Sequence, residues 1–333
     1  MDLCFGAPNK VFGDSFLLVW KFNEEDYVSV EGKLVFKNRE NASVLCDLAL
    51  LSFLNILAKM ETDTRIQDYN SNKKLKVRWE DKILQHPPPS SLSPPFSPNF
   101  GPLHPSLPAP SALSIPAWKV KLSMGLHLGW AFEGAIGTQY KIDAGYISND
   151  ISMSFVLSEI SKNLDCPPIL SNEFFNSLSP DLRKFCKPVE RINFGGSSQI
   201  VFCVQHNLEN IRKKERLVNK YENREAFQKA HKRKKMEFAE LLEKKGFNFT
   251  EYINKKKNIK AMLELNNEEY LEKFGKGFDK YAKGMWGEAK KVFESLLEKK
   301  EDAVIRRIMG YMSKKGFQAP EGWKGVELVG TFD

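Results

Sequence analysis

Residues 118–164 read WKVKLSMGLHLGWAFEGAIGTQYKIDAGYISNDISMSFVLSEISKNL, and the change of period inside this stretch decides the fold class. Val120, Leu122 and Met124 alternate with polar residues, which predicts a strand over 118–129. GAIGTQYKIDAGY follows as a glycine-flanked second strand. From Ile147 the apolar spacing becomes helical, so ISNDISMSFVLSEISKNL predicts a helix. PPILS (167–171) and INFGGSSQIVFCVQ (192–205) predict two more strands, with a short helix around Asn172–Leu178 between them. Strands and helices mixed in this way indicate an α+β domain.

Upstream, residues 10–22 (KVFGDSFLLVWKF) predict two short strands around a tight turn. Gly13-Asp14 is a hairpin dipeptide, and Phe16, Leu18, Trp20 and Phe22 alternate at period two. Residues 43–60 (SVLCDLALLSFLNILAKM) predict a well-buried helix with Ser43 as its N-cap. Residues 87–116 differ in kind: they hold eleven of the chain's seventeen prolines and no charged residue. That composition forms neither a helix nor a central strand and indicates a Pro-rich insert.

The formal net charge of +8 is concentrated. Arg212–Lys235 contains eleven Lys or Arg and three Glu, so this segment alone carries +8 and the remainder is near neutral. Without a recognition motif, a nucleic-acid partner is not expected. A basic helix of this kind suits a solvated surface or an acidic protein surface. Residues 206–264 therefore predict a basic helical linker. Beyond it, residues 265–333 contain one helix–turn–helix of tetratricopeptide type. Gly277, Tyr281, Gly284, Trp286, Ala289, Phe293 and Leu296 fall at the repeat's small and large positions. One such unit cannot bury its own face and is expected to pack on a neighbouring helix or on the main domain.

No apolar run, Leu48–Leu51 included, approaches the roughly 18 residues of a membrane span. No secretory leader is expected, because Asp2 replaces the basic start and Asn9, Lys10, Asp14 and Ser15 interrupt the apolar residues near the N-terminus. Five widely spaced cysteines without a CxxC pair indicate free thiols. These features predict a cytoplasmic protein without a membrane span. The basic segment suits association with a large assembly such as cytoskeleton or cilium.

Two stretches carry a resemblance. NKVFGDSFLLVWKF (9–22) is similar to the metal-carrying hairpin of class III nucleotide cyclases, the adenylyl and guanylyl cyclases. GLHLGWAFEGAIGTQYKIDAGYISNDISMSFVLSEI (125–160) is similar to that family's central strand pair and following helix. The likeness continues through PPILSNEFFNSLSP and CKPVERINFGGSSQIVFCV to about residue 205. FDKYAKGMWGEAKKVF and GFQAPEGWKGVEL resemble the C-terminal extension of some protist cyclase-like proteins. The resemblance implies a partial, ferredoxin-like cyclase domain over 1–205, lacking the first strand and helices, with a helical C-terminal region; the 10–22 hairpin is expected in one sheet beside the strands of 118–147.

It also implies site residues. The second of the family's two metal-binding aspartates matches Asp14, which would hold Mg or Mn weakly. The first lies some forty residues upstream in the family, and here only thirteen residues precede Asp14. The adenine-reading lysine and aspartate match Lys10 and Asp143, a donor and an acceptor suited to that base; the other reading of the two is an ion pair with each other on the surface. The ribose-orienting asparagine, the phosphate-neutralising arginine and the phosphate-binding lysine are replaced by Ser152, Val156 and Gly195. Each such donor is worth roughly 3–4 kcal/mol in the transition state, so the chain alone is expected to be inactive. Gly125, Gly129, Gly134 and Gly137 match family glycines, and His127 matches a family histidine with a structural role. The implied function is that of a cyclase-family signalling protein, catalytically degenerate, serving as a structural or regulatory subunit. The other reading is an adenylyl cyclase subunit that makes cyclic AMP from ATP when paired with a complete homologous chain. Both readings make that homologous chain, in a homo- or heterodimer, the expected partner.

Overall fold

The computed structural model describes residues 2–30, 33–37, 39–85, 119–211, 224–243, 248–264, 268–325 and 328–332. The expected N-terminal hairpin is present: β1 (Ala7–Phe12) and β2 (Ser15–Val19) run antiparallel. Gly13, at φ +61°, makes the two-residue turn that matches strand twist. A further hairpin follows, β3 (Tyr27–Val30) with β4 (Lys33–Phe36). Helix α1 (Arg39–Thr62) starts four residues before Ser43, so Ser43 lies within the helix and is not its cap. Cys46, Leu50, Leu51, Leu54 and Leu57 are all buried along it. Ala42–Thr62 is long and apolar enough to cross a membrane by length and composition. Counting unbroken apolar runs misses this, because Asp47, Ser52 and Asn55 interrupt them. In the fold it is a core helix. Two shorter helices follow, α2 (Thr64–Asn70) and α3 (Lys73–Gln85). The Pro-rich insert expected over 87–116 lies outside the described residues.

The strand expected over 118–129 is ladder-bonded only at β5 (Gly125–Leu126). Side chains hold the residues before it: Val120 N–H donates to Asn70 Oδ1 (2.7 Å), and Met124 N–H to Ser161 Oγ (3.1 Å). The single strand expected in GAIGTQYKIDAGY is a hairpin, β6 (Phe132–Thr138) and β7 (Lys141–Ile147), turning at Gln139-Tyr140. Helix α4 (Asn149–Leu164) is capped by Ser148, whose hydroxyl accepts from Ile151 N–H. Then come β8 (Ile169–Leu170), α5 (Asn172–Ser177) and α6 (Pro180–Arg183). INFGGSSQIVFCVQ also proves to be part of a hairpin: β9 (Cys186–Phe194) and β10 (Ser197–Val204) turn at Gly195-Gly196, both at positive φ. Helices α7 (Arg224–Glu243), α8 (Phe249–Lys255) and α9 (Lys257–Glu264) follow. The helical end is α10 (Glu268–Ala282), α11 (Trp286–Leu297) and α12 (Ala303–Lys314), closed by β11 (Leu328–Phe332).

The main sheet has the order β11-β9-β10-β8-β5. Its two faces follow from strand alternation. Leu170 and Val204, with Met124 and Leu126, join the core built on α1. Ile169, Val189, Ile192, Val201 and Cys203 join the core built on α4 and α10–α12. The result is an α+β fold of three layers, helices on both faces of one sheet. The N-terminal hairpin was expected in the same sheet as residues 118–147. It forms its own two-stranded sheet, as does β6–β7. The two hairpins meet instead through side chains, Lys10 with Asp143 and Lys21 with Glu133.

The segment expected as a linker contributes Phe238, Phe249, Ile253, Met262 and Leu263 to the core on α1. Helices α10 and α11 pack closely against each other. A Cβ on Gly277 would come within 2.8 Å of the Phe293 ring, and Gly284 turns at φ +78°. Tyr281, Trp286, Ala289, Phe293 and Leu296 are buried.

Candidate functional site

A cleft of about 780 Å³ opens between β2 and the extended segment 121–130 that carries β5. One wall layer comes from α1, through Leu45, Ala49 and Phe53. The other comes from α4, through Ile151, Ser154 and Ser158. Glycine at 125 is what lets the segment approach α4. A Cβ there would sit 2.3 Å from the Ser154 carbonyl oxygen, closer than any side chain tolerates.

The residues implied by the cyclase resemblance are dispersed around this cleft. Asp14 lines it from the β1–β2 turn, exposed, with the Ser15 hydroxyl 3.4 Å from Oδ1. A single carboxylate offers two of the roughly six oxygens that Mg or Mn takes. Among the described residues, no group of three or more His, Cys, Asp or Glu gathers around a point. Lys10 and Asp143, from β1 and β7, stand 4.0 Å apart with about two-fifths of each side chain exposed. Ser152 is exposed on α4. Val156, half-buried on α4, packs against the core of the C-terminal helices and offers no hydrogen-bonding group to a phosphate. Gly195 forms the β9–β10 turn at φ +53°. The structure brings Lys10 and Asp143 together; Ser152 and Val156 lie on α4 and Gly195 in the β9–β10 turn.

Sequence reasoning singles out His127 without its partners. The ring, almost fully buried, has Nδ1 2.8 Å from Ser171 Oγ and Nε2 3.4 Å from Asp150 Oδ1. Serine, histidine and carboxylate thus stand in the order of a hydrolase triad. Ser171, however, is fully buried, and its hydroxyl accepts from Phe174 N–H to cap α5. A nucleophile that no substrate can reach leaves a structural role: His127 ties β5, α4 and α5 together. Burial raises the Asp150 pKa, and hydrogen bonds from His127 and Trp130 N–H outweigh it, leaving the carboxyl below its ordinary value.

The basic helix α7 is anchored at one side. His231 and Lys235 both bind Asp2, at 2.8 and 2.6 Å, and Phe238 packs near Phe5. Lys232, Arg233 and Lys234 are exposed. Residues 212–223 of the expected basic segment lie outside the described residues. All five cysteines are free thiols.

Comparison of the chain with protein-family models, with curated proteins and with solved structures finds no match.

Proposed function

We propose that this protein is a cyclase-like subunit without catalysis of its own, acting through contacts with other polypeptides. The observation that carries the reading is the dispersal of its chemistry. Asp14 is exposed in the β1–β2 turn, Val156 lies half-buried against the core of the C-terminal helices, and Gly195 sits in the β9–β10 turn, with no cluster of carboxylates among the described residues. Catalysis of 3′-hydroxyl attack on a triphosphate needs metal carboxylates and cationic groups converging on one point. The test is a sensitive cyclase assay of the purified chain with ATP or GTP and manganese. No cyclic nucleotide is expected, and Asp14→Ala should change nothing. Product formation that Asp14→Ala abolishes would overturn the reading.

One observation favours the second reading. Lys10 and Asp143 arrive side by side from two separate hairpins and remain accessible, an arrangement that suits recognition of an adenine edge. On that reading the chain is an adenylyl cyclase subunit, and a complete homologous chain supplies the missing carboxylate, asparagine, arginine and lysine. Mixing the two chains should then raise cyclic AMP production, and Asp143→Ala should remove the gain. The exposed stretch Lys232–Lys234 supports docking on an acidic protein surface, in the cytoplasm or on a large assembly such as a cilium.

A further inference from the structure

Two of the free thiols, Cys166 and Cys203, touch. Cys203 lies on β10, paired across the ladder with Ile169 on β8. Cys166 stands in the turn between α4 and β8, and its N–H donates to the Ser161 carbonyl at 3.2 Å. That bond folds the turn back against the end of α4. Cys203 belongs to the core shared with the C-terminal helices, and Cys166 packs against the same core. There the two thiols are hydrogen-bonded to each other. Their access to solvent differs: Cys203 is 1 % exposed, whereas Cys166 is half-buried. Lys187, the cross-strand partner of Cys203 on β9, forms a buried ion pair with Asp302 at the start of α12. The two cysteines share no spacing motif; the α4–β8 turn and the β8–β10 pairing bring them together.

We infer that Cys166 and Cys203 form a reversible oxidation site, at which a peroxide converts two touching thiols into a disulfide. An oxidant arriving from solvent meets Cys166 first, and Cys203 waits behind it as the resolving thiol. In the first step the Cys166 sulfur, as thiolate, attacks one oxygen of hydrogen peroxide. The O–O bond breaks, Cys166 becomes a sulfenic acid, and the departing hydroxide takes up the thiol's proton as water. In the second step the Cys203 sulfur attacks the Cys166 sulfur. The S–S bond forms, the S–O bond breaks, and a second water leaves with the Cys203 proton. Two thiols lose two electrons, and one peroxide is reduced to two waters. The hydrogen bond with Cys203, and then burial, hold the Cys166 thiol well above its ordinary pKa, so the attacking thiolate is scarce at neutral pH. The site therefore answers sustained oxidation and not a brief pulse. Once formed, the bond staples the α4–β8 turn to the strand beneath α10–α12, restricts the unfolded chain, and so stabilises the core that carries those helices. The inference rests on the contact between the two thiols and is independent of the cyclase-like reading.

The test treats the purified full chain, reduced and then freed of reductant, with excess hydrogen peroxide. The remaining thiols are alkylated after unfolding, and the peptides are mapped by mass spectrometry without reductant. Cys166 and Cys203 should be joined in one disulfide, with Cys4, Cys46 and Cys186 alkylated. The melting temperature should rise by about 5 °C, and dithiothreitol should return it to the starting value. Cys203→Ala should abolish the bond and the shift, and should leave Cys166 as a sulfenic acid that dimedone labels. Because that substitution falls in the core, Cys166→Ser at the half-buried position provides a second variant. It should also abolish the shift, and Cys203 should then stay unmodified. The inference fails if peroxide gives no Cys166–Cys203 disulfide, or joins Cys203 to Cys186 instead. It also fails if Cys166 passes to the sulfinic acid while Cys203 stays reduced, or if either variant keeps the thermal shift. None of these outcomes depends on cyclase activity.

Discussion

Asp47 shows what a single buried charge does to this fold. It lies on α1, fully buried, with Ser179 N–H donating to Oδ1 at 3.0 Å. Burial pushes its pKa from 3.8 up to about 7, against the hydrogen bonds from Ser179. Between these values the folded chain holds a proton that the unfolded chain has released. Stability therefore falls as pH rises from about 4 to 7, by at most about 4 kcal/mol. Asp47→Asn keeps the acceptor for Ser179 and removes the titration. Its denaturation midpoint should exceed that of the parent at pH 8 and vary less between pH 5 and 8. A parent chain whose stability does not fall over that range would show that Asp47 is ionised in the fold. At this scale the sequence is partly legible. Lys10 and Asp143 can be paired from resemblance alone, and the structure sets them 4.0 Å apart. Asp47 is not legible, because a lone Asp in an apolar helix carries no local sign of whether it faces water.

At the scale of elements, periodicity finds the helices well and the hairpins poorly. α10 and α11 have strong 3.6-residue patterns with Gly284 between them, and α4 is marked by its Ser148 cap. β6–β7 turns at Gln139-Tyr140, which is no turn dipeptide, so two strands read as one. β9–β10 turns at Gly195-Gly196, a turn signal set inside a run apolar enough to pass for one strand. Ion pairing between β9 and α12 has no sequence signal at all, since its partners are 115 residues apart. Lys187 and Asp302, both almost completely buried, form one pair, and Glu190 and Arg307 a second. Asp302 also accepts from Tyr270 (2.5 Å) and from Val304 and Ile305 N–H, capping α12. Burial raises its pKa, and Lys187 and these hydrogen bonds outweigh that effect, so the carboxyl stays ionised. Asp302→Ala would strand the Lys187 ammonium in the core and remove the cap. The expected loss is about 3–5 kcal/mol by urea denaturation. A loss under about 1 kcal/mol, the scale of an exposed pair, would mean that Lys187 escapes to solvent and that the pair does not fasten α12.

For the whole molecule, the question is whether the C-terminal helices are an appendage. Their tetratricopeptide-like pattern suggests a separable unit, and a separable unit would leave the sheet complete without it. The packing says otherwise. Val189, Ile192, Val201 and Cys203 on the sheet share one core with Phe274, Phe278, Trp286 and Ile305. Lys187 and Glu190 reach across the same boundary to α12, and β11 returns to pair with β9 as the outer strand. Removing residues 265–333 would expose those four sheet residues and leave two buried charges without partners. At about 1.5–3 kcal/mol per large apolar side chain, the exposure alone costs on the order of 5–10 kcal/mol. That is comparable with the whole stability of an ordinary domain. The full chain should therefore unfold in one cooperative transition spanning both regions, followed by tryptophan fluorescence (Trp20 in the N-terminal part, Trp286 and Trp323 in the C-terminal part) and by circular dichroism. A chain ending at residue 264 should lose that transition and expose hydrophobic surface to a fluorescent dye. If it instead melts cooperatively near the parent temperature, the sheet is covered without the helices, and they form an independent domain.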